Sequence, residues 1–235
     1  MGRFPRGRRL VSIAGLVLAA GIAVAIPLFR SPALAPGEAA PLPPLPGDAA
    51  WLEIASLGHR PLLADFLLAR ALVHYGAHYH DPGGPPAPAI HPWIAAAARL
   101  DPQNLDALLL GSNLLAEPAP RLSIDLLRSG NAAAPQEWRF PELIGFRYYF
   151  NLKSPFMAAR YYEFAARLPG RPPYVPSLAG KFYTEAGRQR EAVRVLAACR
   201  DQATDPRLKA SFQRMIDQIG SGEGAPPPRT DRNQN

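Results

Sequence analysis

Four of the five histidines fall close together, at His74, His78, His80 and His91, with Asp81 beside them. On a continuous helix His74 and His78 would point the same way, the four-residue spacing that zinc sites use. The surroundings speak against a metal centre. No glutamate stands between the two histidines to act as a base, and Gly76 is expected to interrupt the helix. Asp81-Pro82-Gly83-Gly84 then opens a flexible loop, a poor scaffold for rigid ligands. The pattern reads as the aromatic, polar end of a helix running into a surface loop, and no metal is expected.

Other chemistry is equally short of residues. Cys199 is the lone cysteine, which excludes an intrachain disulfide framework and any cysteine-based zinc site. There is no Gly-x-Ser-x-Gly elbow, and Gly111-Ser112-Asn113 lies inside a helical stretch. Phosphate loops and dinucleotide fingerprints are missing, and the carboxylates are scattered along helices. The expectation is a protein without catalysis, cofactor or small-molecule substrate.

The elements that would position such residues begin with an address. Leu10 to Phe29 is uncharged and follows Arg3, Arg6, Arg8 and Arg9. Twenty apolar residues in a helix span about 30 Å, the thickness of the hydrocarbon core. Residues 1–9 are then a basic cytoplasmic end, 10–29 a transmembrane helix, and everything beyond is sent across the membrane. A cleaved signal peptide is the alternative, since Ala33-Leu34-Ala35 offers small residues for cleavage near Ala35. Residues 30–47 are Pro-rich and read as a semi-rigid spacer. The net charge of +7 owes much to this end: residues 1–35 hold five arginines and no acid, leaving 21 basic and 19 acidic residues elsewhere. That near-balance argues against a nucleic-acid partner.

From 48 to 220 the apolar periodicity is helical and no alternating strand appears. Turn signals centred on Pro102, Pro135, Pro169 and Pro206 lie 33, 34 and 37 residues apart. A period near 34 in helical sequence marks stacked helix pairs. Four units are expected, over about 61–102, 104–135, 138–169 and 173–206, then a capping helix over 206–219 and a disordered tail over 221–235. A short leading helix over Ala49 to Leu57 should pack Trp51 and Ile54 on the first unit.

The last unit, with Ala179-Gly180, Phe182-Tyr183, Gly187, Glu191-Ala192, Leu196 and Cys199, resembles the tetratricopeptide repeat almost place for place. Small Gly180 and Ala192 fall where paired helices cross, and Tyr183 where a large aromatic fills the gap. The preceding unit shows Gly145, Tyr148, Ala158, Tyr162, Ala165 and Pro169, with one extra residue in the Lys153-Ser154-Pro155 turn. The second shows Gly111, Leu114, Ser123, Leu127, Gly130 and Pro135, while the first diverges, with a long segment between its helices. The resemblance implies an all-α, right-handed superhelical solenoid. It places Cys199 as a small, inert core residue and Tyr148 in the core.

In this family the first helix of each pair lines a concave, partner-binding face. Carried over, that face receives Ser112, Arg139, Phe146, Tyr149, Phe150, Tyr174 and Lys181, with Leu108 and Leu109 nearby. With one lysine and several aromatics it is no carboxylate clamp; an apolar groove for a peptide or helix fits better. The resulting expectation is a non-catalytic adaptor anchored in a bacterial inner membrane, its repeat domain in the periplasm and its groove bound to a protein partner. The alternative is a structural subunit of an envelope assembly whose groove is permanently occupied.

Overall fold

A computed structural model describes residues 42, 45, 49–81 and 87–221. The expected transmembrane span 10–29, most of the linker and the tail beyond 221 lie outside these residues. No helix within them is long and apolar enough to cross a membrane. The described residues are all-helical: α1 Ala49–Ala55, α2 Arg60–Ala77, α3 Ala87–Leu100, α4 Leu105–Leu114, α5 Pro120–Ala133, α6 Arg139–Phe150, α7 Pro155–Ala165, α8 Tyr174–Glu185, α9 Gln189–Gln202 and α10 Pro206–Gly220. The chain divides into two compact units, Met1–Ala107 and Leu108–Asn235.

In the first unit α2 and α3 pack along their length, and α1 rests on α3. Leu67 and Ala71 of α2 are fully buried, as are Ile90 and Ala96 of α3, with Trp93 nearly so. Two expectations are corrected here. Trp51 and Ile54 are about half exposed, and the residue that α1 buries is instead Leu52, with Ser56 buried just after the helix. Gly76 does not interrupt α2, which continues to Ala77, because a single helical glycine costs only about 1 kcal/mol. α3 begins at Ala87 and holds Pro92 inside it. One hydrogen bond is forgone there, and the burial of Ile90, Trp93 and Ile94 offsets that loss.

In the second unit each helix from α6 to α10 packs on the one before it. The crossings are close where small residues stand. A Cβ added at Gly145 would lie 2.6 Å from the Tyr162 ring, and one at Gly180 would lie 2.8 Å from Leu196. Side chains also join helices two apart. Asn113 of α4 accepts from Arg147 of α6, and Tyr149 of α6 stacks on Phe182 of α8 at 4.2 Å between ring centroids. Arg128 of α5 donates to the Tyr161 hydroxyl of α7 at 3.3 Å, and Arg194 of α9 donates to Glu163 of α7 at 2.9 Å. Among these, α4, α6 and α8 thus touch in succession, and α5, α7 and α9 do the same.

The turns explain the period. Pro120, Pro155 and Pro206 each sit in the first turn of a helix, where the missing N–H costs nothing. Gly187 closes α8 at φ +72°, and Arg188 N–H reaches back five residues to Tyr183 C=O. After α6 the left-handed position falls to Lys153, at φ +51°, and Ser154 N–H reaches back six residues to Tyr148 C=O. The extra residue of that unit is taken up in this wider loop. In α10, Phe212 is buried, with Leu208, Met215, Ile216 and Ile219 packed partly against the same core.

Candidate partner-binding surface

Of the expected groove residues, the structure brings together an aromatic group on α6. Phe146 and Phe150 lie 4.3 Å apart between ring centroids, and Tyr149 meets Phe150 edge-on at 4.9 Å. From Tyr149 the contact continues to Phe182 and then, at 5.1 Å, to the buried Tyr162. This ladder runs from water into the core: Phe150 is 49% exposed, Phe146 and Tyr149 are half-buried, and Phe182 is buried. The spacing 146, 149, 150 puts all three rings on one side of α6. Tyr174 of α8 is 46% exposed, and Lys181 is exposed with its ammonium 3.9 Å from Glu185.

Two expected residues do not serve as an open groove would need. Ser112 is fully buried. Its Oγ donates to Leu109 C=O, and its own carbonyl accepts from Ser123 Oγ at 2.7 Å, so it belongs to the α4–α5 crossing. Leu108 is buried with it. Arg139 is occupied by Glu137, through Nε at 3.0 Å and Nη2 at 3.3 Å, which holds the Glu137 carboxyl below its usual range.

Beneath the ladder lie two charges, Glu142 and Arg147, of which the sequence reading placed Glu142 on the partner-binding face and did not single out Arg147. Arg147 is buried; Nε donates to Ser123 Oγ at 3.2 Å and Nη2 to Asn113 Oδ1, and its Cζ stands 5.5 Å from the Phe146 centroid. Burial lowers its pKa, and Glu142 opposes that. Glu142 is half-buried and accepts from Tyr162 Oη at 3.0 Å. Burial raises the Glu142 pKa, against the pull of Tyr162 and Arg147. The native fold therefore disfavours the carboxylate. As pH falls from neutral through the raised pKa towards the ordinary carboxyl value of 4.5, the Glu142 contribution to stability should rise, then level off. Glu142→Gln should remove that segment of the stability–pH curve measured by urea melts.

The other side of the unit is built on Glu163, also missed. It is buried, accepts from Tyr183 Oη at 2.5 Å and Arg194 Nη2 at 2.9 Å, and is also bonded by Arg167. Burial and this bond push the Tyr183 hydroxyl up to about 12. Tyr148, expected in the core, is half-buried and stacks on Tyr161 at 5.4 Å, with Arg128 bonded to both hydroxyls. The aromatic residue that fills the α6–α7 crossing is Tyr162.

Cys199 is buried, and burial raises its thiol pKa although Arg171 lies 4.0 Å away. A native thiol in this state should resist iodoacetamide and react only after denaturation. Cys199→Ala should cost about 1 kcal/mol, measured by thermal melts. Among the histidines, His78 Nδ1 donates to His74 C=O at 2.9 Å, and the two rings lie 4.1 Å apart. Among the described residues, no group of three His, Cys, Asp or Glu side chains gathers to hold a metal.

Compared with known protein families, curated proteins and solved structures, the chain gives no match in any of the three.

Proposed function

We propose that this protein is a non-catalytic adaptor of the tetratricopeptide-repeat type, which holds an apolar peptide or helix of a partner protein on the aromatic surface of α6 and α8. The observation that carries this reading is the ladder from exposed Phe150 through Phe146 and Tyr149 to the core. Rigid rings half-sunk in a helix face supply contact area at low entropic cost, which is why aromatics anchor interfaces. The period near 34, the small residues at the α6–α7 and α8–α9 crossings and the side-chain bridges between alternate helices support a right-handed solenoid over the stacked pairs. An N-terminal anchor over 10–29, with the repeat domain on the periplasmic side of a bacterial inner membrane, follows from the arginines before the apolar run.

The test uses the full-length chain in its own membrane. A photo-crosslinking amino acid at Phe150 should give a discrete protein adduct, and the same group at exposed Gln218 should not. Equal adducts at both positions, or none at Phe150, would remove the groove from this surface.

The alternative, a permanent subunit of an envelope assembly, is favoured by the first unit. There Leu62, Leu72 and Val73 of α2 stand 42–70% exposed, with Trp51, Ile54 and Leu57 also open to water. A permanent subunit should aggregate when purified alone and dissolve with its neighbour.

A further inference from the structure

The near-balance of charge after residue 35 hides an uneven distribution. Residues 108–221 carry sixteen basic and ten acidic side chains. Part of the excess gathers along α7 and just past its end, where Met157, Arg160, Tyr161, Glu163, Phe164 and Arg167 line a cleft of about 410 Å³. We propose that this cleft is a second recognition surface, and that it takes an acidic segment of a partner protein carrying one large apolar side chain between carboxylates. It is independent of the aromatic surface of α6 and α8, since it uses none of those residues.

The apolar part of the cleft is made by Met157, Tyr161 and Phe164, one helical stripe, with Phe164 41% exposed. Its volume suits one large side chain and the backbone beside it. Around this stripe stand Arg160, Arg167 and, from α9, Arg194. Arg160 is exposed and makes no ion pair among the described residues. Arg167 and Arg194 share the single buried carboxylate of Glu163, so three guanidinium groups face one negative charge. Arg128, on the Tyr161 hydroxyl, is balanced by Asp125 at 3.2 Å.

The geometry also prepares the arginines for a ligand. Arg167 and Arg194 each use one nitrogen, Nη2, on Glu163. Tyr183 bonds the other oxygen of the same carboxylate and fixes its plane. Both forks are therefore held from behind while their remaining N–H groups stay available, the arrangement that favours bidentate capture of a carboxylate. A bilayer is the weaker fit, because the stripe would offer lipid only three side chains, of which Phe164 alone is exposed.

The probe is a short fluorescein-labelled peptide with a central phenylalanine flanked on each side by an aspartate and a glutamate, titrated against the full-length protein in detergent. Binding should be seen by anisotropy, weaken with salt, vanish when the acids become amides, and fall about tenfold when the phenylalanine becomes glycine. Arg160→Gln and Phe164→Ser should each weaken it about tenfold. Arg160 is exposed and outside any ion pair, so its variant should keep the parent melting curve; Arg194→Gln provides a second charge variant. The proposal is overturned if the peptide does not bind, if the amide peptide binds equally, or if Arg160→Gln and Phe164→Ser bind like the parent. Equally fatal would be binding to vesicles of phosphatidylcholine and phosphatidylglycerol in equal parts that the peptide cannot displace, which would make the cleft a lipid-headgroup site.

Discussion

Gly180→Leu is expected to lower the stability of the second unit by about 3 kcal/mol, a fall of about 10 °C in the thermal midpoint. The first atom of any side chain there would lie 2.8 Å from Leu196 Cδ1 and 2.9 Å from its Cγ, closer than real carbon atoms approach. Leu196 is fully buried, so it has no empty space to turn into. The α8 backbone is held in place as well: Thr184 Oγ1 donates to Gly180 C=O at 3.0 Å, and Tyr183 is tied to Glu163. Relief must come from moving α8 off α9, which opens the core that both helices share with Val175 and Phe212. The measurement is a pair of circular-dichroism melts with Cys199→Ala as the mild reference. A Gly180→Leu protein that melts with the parent would show that the crossing is looser than the structure has it.

Phe146→Ala and Phe150→Ala should each weaken the partner crosslinked through position 150 by about thirtyfold, about 2 kcal/mol. Helix content and melting should change little, because Phe150 is half exposed and Phe146 sits at the outer end of the ladder. Tyr149→Ala is a less clean variant: its ring stacks on Phe182, so the loss would mix stability with binding. Lys181→Ala should matter little, since its charge is exposed and already shared with Glu185. Affinity at this surface should resist moderate salt, whereas the arginine cleft on α7 should lose its ligand. Affinity that collapses with salt while both phenylalanine variants bind normally would place the partner elsewhere.

The helices of the second unit were legible because their sequence repeats the same physical problem. Two helices must cross closely, so a small residue recurs; each must stop, so a proline or glycine recurs. Gly145, Gly180 and Gly187 carry that information directly. Orientation within a helix was harder to read. Ser112 is as polar as a groove residue, but a hydroxyl that bonds back onto its own helix can be buried, and periodicity does not distinguish the two. In α1 the amphipathic pattern is weak, and Leu52 took the inner face in place of Trp51 and Ile54. Glu163 was invisible for a different reason. A buried carboxylate needs donors from several places, here α8, α9 and the turn after α7, and such convergence depends on packing that local sequence does not encode.

The way helices of the second unit hold one another has a consequence for how the backbone opens to solvent. From α6 to α9 each helix is gripped by its sequence neighbours and, through a side chain, by a helix two away. α10 packs on α9 and has no successor among the described residues, and Phe212 is its only buried residue. Opening free energies should therefore form a gradient along the chain, with amide protons of α10 exchanging for deuterium first. Those of α7 and α8 should exchange last, near the rate set by global unfolding. Binding at the aromatic surface of α6 and α8 favours the native state over the globally unfolded one and so would slow exchange in α7 and α8, leaving the rate in α10 almost as it was.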